Sequence, residues 1–109
     1  MSEREIHQGE IYWTCQPSIN GHIQKGSRPY LVISSRNTNG YVTVFPITSK
    51  IKNISNRFDI EVKNRPQQVL LDQPQTVVIS TLGRYFGKLK PEEVNEVLVA
   101  MFDYFSCFK

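Results

Sequence analysis

Two short β-prone runs carry polar groups at their ends that suit phosphate chemistry. Arg28 opens the first run and Thr48 closes the second, and the polar segment between them ends in Asn39-Gly40. Asn-Gly between two apolar runs is typical of an antiparallel hairpin. If Ser35 faces Tyr41 across that loop, the same register makes Arg28 and Thr48 cross-strand neighbours, with β-carbons roughly 5 Å apart. A permanent cation beside a hydroxyl can hold a phosphate, so this hairpin predicts an anion site.

The size and composition of the chain indicate one small globular domain. Its 109 residues suffice for a single core and are too few for two. Thirteen Lys and Arg against ten Asp and Glu give a net charge of +3, which permits an anionic partner without requiring one. Cys15 and Cys107 lack metal-ligand spacing, and no apolar run is long enough to span a membrane. We therefore expect a soluble cytoplasmic domain with reduced thiols and no metal site.

Several further strands are predicted from alternation and from β-forming residues. Residues 9–15 alternate partially, residues 58–62 alternate strictly, and residues 68–72 and 76–79 are rich in β-formers. A long polar loop is expected at 17–27, and Asn64-Arg65-Pro66 is expected to turn the chain before the strand at 68–72.

The end of the chain predicts a helix. Pro91-Glu92-Glu93 is typical of a helix start, and apolar residues then recur every three or four positions from Val94 to Phe108. Because no helix separates the strands, the predicted fold is mainly β (α+β), a small, strongly bent antiparallel sheet or half-open barrel with a C-terminal helix.

Four motifs in order resemble those of the MazF/PemK/Kid toxins of type II toxin–antitoxin systems. They are the opening strand Gly9-Glu10-Ile11-Tyr12-Trp13, the loop Gly21-His22-Ile23-Gln24-Lys25-Gly26-Ser27-Arg28-Pro29, the strand end Pro46-Ile47-Thr48-Ser49, and Asp72-Gln73-Pro74. The Pro91-led helix also fits, so the resemblance covers nearly the whole chain and implies one toxin domain over residues 1–109.

This resemblance implies a fold and an activity. The fold is the CcdB-like half-open barrel related to SH3-type barrels, assembled as a homodimer. The activity is cleavage of single-stranded RNA, with mRNA as the substrate and no metal or cofactor. A cognate antitoxin, whose acidic C-terminal segment lies across the active groove, inhibits such toxins in the bacterial cytoplasm.

RNA cleavage of this kind uses the ribose 2′-hydroxyl as nucleophile and leaves a 2′,3′-cyclic phosphate and a 5′-hydroxyl. It needs a proton acceptor, a proton donor and stabilisation of charge on phosphorus. The resemblance assigns charge stabilisation to Arg28, a hydrogen bond to a phosphate oxygen to Thr48, and proton transfer to Asp72 and His22. Further RNA contacts are expected from Gln24, Lys25, Ser49, Lys50, Gln73 and Gln75.

Some positions depart from the family pattern. Leu70 and Gln75 stand where the Kid/PemK branch has arginines, and Ile23 stands where MazF-like chains often have Glu. Catalysis must then depend mainly on Arg28. Tyr12 and Trp13 are interpreted as core or dimer-interface packing, with base stacking as the alternative. Two other functions stay open: a gyrase-poisoning CcdB-like toxin and a non-catalytic RNA-binding module.

Overall fold

Seven strands and one long helix make up the described part of the chain. The computed structural model describes residues 5–14, 28–34 and 39–106. A short 3-10 helix, Ile79–Thr81, lies between the last two strands, and the C-terminal helix α1 spans Pro91–Phe105. The strands are β1 (Glu10–Thr14), β2 (Arg28–Val32), β3 (Tyr41–Thr48), β4 (Arg57–Val62), β5 (Arg65–Leu70), β6 (Gln75–Val78) and β7 (Tyr85–Lys88).

The hairpin of β2 and β3 has the predicted register. Tyr30 lies opposite Pro46, Leu31 opposite Phe45, and Val32 opposite Val44. Continued by two residues, this register brings Arg28 level with Thr48. On its other side, Arg28 pairs with Thr14 of β1. The two residues that carry the predicted anion site therefore lie at the same end of the hairpin, two residues beyond the last β2–β3 pair.

Strand β3 curls the sheet because its two halves pair with different neighbours. Residues 41–44 pair with β6, whereas Ile47 and Thr48 pair with β5. The strand order is β4-β5-β3-β2-β1-β7, and β6 branches off beside β3. The two outer strands approach each other, since a β-carbon on Gly87 would lie 3.1 Å from Val62 Cγ1. This half-barrel with its C-terminal helix confirms the predicted mainly β (α+β) fold.

The apolar core has two parts, one on each face of the curled sheet. The inner cluster is filled by residues such as Ile11, Leu31, Phe45 and Val69, and α1 seals it with Val94 and Val97. The outer cluster holds a second set of buried side chains against the opposite face: Ile6, Tyr12, Tyr30, Val32, Val42, Val44, Ile79 and Leu82.

Helix α1 begins at the predicted residue. Pro91 needs no hydrogen-bond partner for its nitrogen, and the Glu93 carboxylate accepts a hydrogen bond from the Lys90 N–H at 2.8 Å. Val94 and Val97 are buried, whereas Phe102 and Phe105 are exposed. Among the described residues, no helix has the length and apolar content needed to cross a membrane.

Two local details differ from the prediction. The β4–β5 turn is formed by Lys63 and Asn64, with φ of 53° and 64°, and not by Asn64-Arg65-Pro66. Both residues are in the left-handed region that a two-residue hairpin turn requires, so β5 starts at Arg65, three residues before the predicted strand. Strand β7 was not predicted, because its four residues include a glycine and lack alternation. The loop expected at 17–27 lies outside the described residues.

Candidate nucleic-acid interface

A cleft of about 670 Å³ opens at one end of the half-barrel. The ends of β2 and β3 form one wall, the β4–β5 hairpin forms the facing wall, and aromatic residues of β1 and β7 complete the surface. The lining residues are Trp13, Arg28, Pro29, Ile47, Thr48, Ser49, Lys50, Val62, Lys63, Arg65, Gln67 and Phe86.

The cleft concentrates positive charge. Its lining includes the four cations Arg28, Lys50, Lys63 and Arg65 and no carboxylate. None of these four side chains forms an ion pair with another described residue. Because the whole chain has a net charge of only +3, this local excess far exceeds the average over the surface. Such a cleft attracts an anionic ligand.

An aromatic surface forms part of the cleft wall. The rings of Trp13 and Phe86 have centroids 4.9 Å apart and planes inclined at 56°. Lys63 Nζ lies 5.0 Å from the Phe86 ring centroid, within the range of a cation–π interaction. Aromatic rings beside cations are the combination that binds single-stranded nucleic acid, because bases stack on the rings while phosphates meet the charges.

Thr48 is oriented by the residues that follow it. Its Oγ1 accepts a hydrogen bond from the Lys50 N–H at 3.0 Å. The oxygen uses a lone pair in this bond, so the hydroxyl proton stays available for donation. Thr48 is half-buried at the end of β3, and Ser49 and Lys50 beside it are exposed. The hydroxyl can therefore donate to an anion bound in the cleft.

A buried amide holds the segment after β3 in place. Gln68 lies opposite Thr48 and is only 4% exposed. Its Oε1 accepts hydrogen bonds from the Lys52 N–H and from Arg57, and its Nε2 donates to the Lys52 carbonyl and to Asp59 Oδ1. Arg57 also donates to the Lys50 carbonyl at 2.9 Å. The Gln68 amide thus holds the segment that carries Lys50 through two bonds to the Lys52 backbone, and it binds β4 through Arg57 and Asp59.

The structure brings some of the predicted site residues together and separates others. Arg28, Thr48, Ser49 and Lys50 all line the cleft. Asp72 does not, since it lies in the turn that follows β5.

The remaining predicted residues lie elsewhere. Asp72 is exposed after β5, and its Oδ1 accepts a hydrogen bond from Asn56 Nδ2 at 2.9 Å. Gln73 is exposed in the same turn, and Gln75 pairs with Val44 at the far half of β3. His22, Gln24 and Lys25 lie outside the described residues.

Sequence reasoning missed four lining residues: Lys63, Arg65, Gln67 and Phe86. The first three belong to the β4–β5 hairpin, and they reach the cleft only because the sheet curls. Correct placement of the turn at Lys63-Asn64 would have put Arg65 and Gln67 on the same face as Val69. Tyr12 packs in the outer cluster as interpreted, whereas Trp13 lines the cleft.

The charged groups do not suggest a metal centre within the described residues. No group of three His, Cys, Asp or Glu side chains among them is placed to hold a metal ion.

Comparison with solved structures gives matches over almost the whole chain. MazE–MazF (Form-II) from Deinococcus radiodurans has a TM-score of 0.79 at 20% identity, covering 97% of this chain and 100% of that chain. An endoribonuclease in complex with its cognate antitoxin from a mycobacterial species has a TM-score of 0.75 at 17% identity, covering 96% and 99%. The Mycobacterium tuberculosis toxin MazF-mt6 has a TM-score of 0.63 at 23% identity, covering 86% and 95%.

These three structures are at most 23% identical to the chain, and they show that the fold is shared. A search of curated proteins gives no match. Membership in a family is shown by sequence, because a family model matches residues 7–102, which include every strand of the sheet and most of α1. The chain belongs to the PemK-like, MazF-like toxins of type II toxin–antitoxin systems.

Proposed function

We propose that the protein is a metal-independent, sequence-preferring endoribonuclease toxin that cleaves single-stranded RNA. The main observation behind this proposal is that Arg28 and Thr48 line the same cleft, whose lining has four cations and no carboxylate. Family membership supports the same conclusion, as do solved structures of similar fold that are named endoribonucleases. Cleavage of mRNA would inhibit growth.

In the proposed reaction, the ribose 2′-hydroxyl attacks the adjacent phosphorus and the 5′-oxygen leaves. The products are a 2′,3′-cyclic phosphate and a 5′-hydroxyl. Arg28 stabilises the charge that grows on the phosphate oxygens, since a guanidinium retains its proton at neutral pH. Thr48 donates a hydrogen bond to one of these oxygens. The proposal assigns proton transfer to His22, since Asp72, the other residue expected to transfer a proton, does not line the cleft.

The role of Arg28 in this proposal is large because a second arginine is missing. Leu70 occupies the position of an arginine in the Kid/PemK branch, and it is only 5% exposed at the end of β5. No cation therefore reaches the cleft from this position. Lys63 and Arg65 supply positive charge from the facing wall instead.

The proposal includes a homodimer in the bacterial cytoplasm and a cognate antitoxin that neutralises it. Its support is family membership together with two similar structures, MazE–MazF and an endoribonuclease with its cognate antitoxin. The acidic segment expected of such an antitoxin is complementary to the positive cleft.

The test is cleavage of end-labelled single-stranded RNA in excess EDTA. Wild-type protein is expected to cut, and Arg28→Ala is expected to lower the rate by at least about 100-fold because a transition-state charge contact is lost. Lys88→Ala removes an exposed cation outside the cleft and is expected to cut normally. Mass spectrometry should identify 2′,3′-cyclic phosphate ends. Loss of activity in EDTA, or full activity of Arg28→Ala, would contradict the mechanism.

A non-catalytic RNA-binding module is the second candidate. The buried Leu70 and the position of Asp72 outside the cleft lining favour it, because both reduce the acid–base groups near the cleft. Tight binding of the same RNA without any product would support this candidate over the nuclease.

A further inference from the structure

Gln67 is a buried glutamine on the inner face of β5. It lies opposite Ile60 of β4 and two residues from Val69, so it shares a face with both. Val69 belongs to the inner cluster and Ile60 packs against it. Gln67 is only 8% exposed, and yet it lines the cleft. A polar side chain thus stands at the inner wall, where its neighbours on the strand are apolar.

The amide of Gln67 has no hydrogen-bond partner among residues 5–14, 28–34 and 39–106. The adjacent Gln68 gives the contrast, since its amide makes four hydrogen bonds. Neither polar atom of the Gln67 amide is among the buried atoms that lack a partner, so the amide opens into the cleft although the residue as a whole is buried. Its donor and acceptor are therefore available to a ligand that enters the cleft.

The surroundings of Gln67 define the chemistry of this ligand. The rings of Trp13 and Phe86 offer a surface for a flat, apolar ring, and the cations around the cleft attract anionic groups. The Gln67 amide adds one donor and one acceptor for the edge of that ring. A nucleobase with its flanking phosphates satisfies all three requirements.

We infer that the cleft holds one unstacked nucleobase of single-stranded RNA and that Gln67 reads its edge. The inference rests on the proposed function, which supplies RNA as the ligand. A glutamine amide pairs with adenine through two hydrogen bonds, donating to N7 and accepting from N6. Gln67 is therefore a specificity-determining residue that selects adenine, while Trp13 and Phe86 stack on the base.

Trp13 allows a binding test that does not depend on cleavage, because it is the only tryptophan in the chain. Four 2′-O-methyl trinucleotides with abasic flanks, differing only in the central base, are titrated against the emission of Trp13. The methyl groups prevent cleavage, and the abasic flanks leave a single base to stack. The adenine trinucleotide is expected to bind about tenfold more tightly than the other three.

Two substitutions at position 67 separate recognition from packing. Gln67→Met keeps the length of the side chain and removes both hydrogen bonds, so it should bind all four trinucleotides with similar affinity. Gln67→Glu replaces the donor by an acceptor, which should shift the preference from adenine to cytosine, whose N4 donates. Asn95→Asp makes the same chemical change on an exposed residue of α1 outside the cleft, and it should keep the adenine preference.

Several outcomes would overturn the inference. Equal affinity of the wild type for all four bases would do so, as would an adenine preference that persists in Gln67→Met. Quenching of Trp13 by an acidic peptide but by no trinucleotide would assign the cleft to a protein partner. Circular dichroism checks that each variant folds. If Gln67→Glu does not fold, the affinities of Gln67→Met for the four trinucleotides test the inference alone. An adenine preference without RNA cleavage supports the inference and contradicts the proposed nuclease activity. Cleavage without an adenine preference supports the nuclease activity and contradicts the inference.

Discussion

At the residue scale, neighbouring side chains in this protein have very different environments. Glu10 at the start of β1 is mostly buried and accepts hydrogen bonds from the His7 N–H at 2.7 Å and from the Tyr12 hydroxyl at 2.8 Å. Burial by itself would raise the pKa of Glu10, but these bonds and the nearby His7 ring together lower it from its ordinary value. The ionised carboxylate therefore ties the segment before β1 to the sheet.

Glu10→Gln tests this contribution through its pH dependence. A carboxyl whose pKa is lower in the folded state stabilises the fold above its unfolded pKa, and it loses this effect as the pH falls through the folded pKa. We expect the variant to be about 1 kcal/mol less stable at pH 7 and nearly equal to the wild type well below pH 4. Urea denaturation at both pH values measures the difference. Glu61→Gln, an exposed carboxylate on β4, is the control. An equal loss at both pH values would show that ionisation is not involved.

At the element scale, the β2–β3 hairpin was predictable because the residues that determine it are close together in the sequence. A turn dipeptide and two apolar runs set its register, and the register in turn brought Arg28 beside Thr48. The β4–β5 turn was misplaced by one residue, because the left-handed conformation of Lys63 has no strong sequence signal. One half of the cleft was therefore anticipated. The other half depends on how β3 divides its pairing between β5 and β6, which is a long-range property.

The Gln68 amide is an element-scale feature, since it joins β5 to the segment that follows β3. Gln68→Leu removes four partly buried hydrogen bonds, so we expect a loss of about 3 kcal/mol in unfolding free energy. Amide exchange at Lys52 should become faster, because its N–H loses the acceptor on Gln68. If RNA is cleaved, KM should rise more than kcat falls, since Lys50 is held less firmly.

A second glutamine provides the control for this prediction. Gln8 donates one hydrogen bond to the Ile33 carbonyl at 2.8 Å, far from the segment after β3. Gln8→Leu should cost about 1 kcal/mol and leave exchange at Lys52 unchanged. Unaltered exchange at Lys52 in Gln68→Leu would mean that other contacts hold the segment.

At the scale of the whole molecule, the positions of the charges predict ligand binding better than the net charge does. The net charge of +3 permits an anionic partner without indicating where it binds. The fold collects four cations around one cleft by joining the ends of β2 and β3 to the β4–β5 hairpin. A ligand that lies across this cleft meets all four charges together. Binding should therefore depend strongly on salt although the protein as a whole is only mildly basic.

That dependence can be measured with a longer 2′-O-methyl RNA, a heptanucleotide whose six phosphates can meet all four cations, and with the emission of Trp13. Each phosphate neutralised on a single strand contributes about −0.7 to the slope of log K against log salt, so four contacts predict a slope near −3. Replacing both Lys63 and Arg65 by Met should reduce the slope by about half, because two of four phosphate contacts are lost. The paired control replaces Arg84 and Lys88, which are exposed cations outside the cleft, and it should retain the wild-type slope. If both double variants lowered the slope equally, the RNA would be responding to the overall charge, and the cleft would have no special role in binding it.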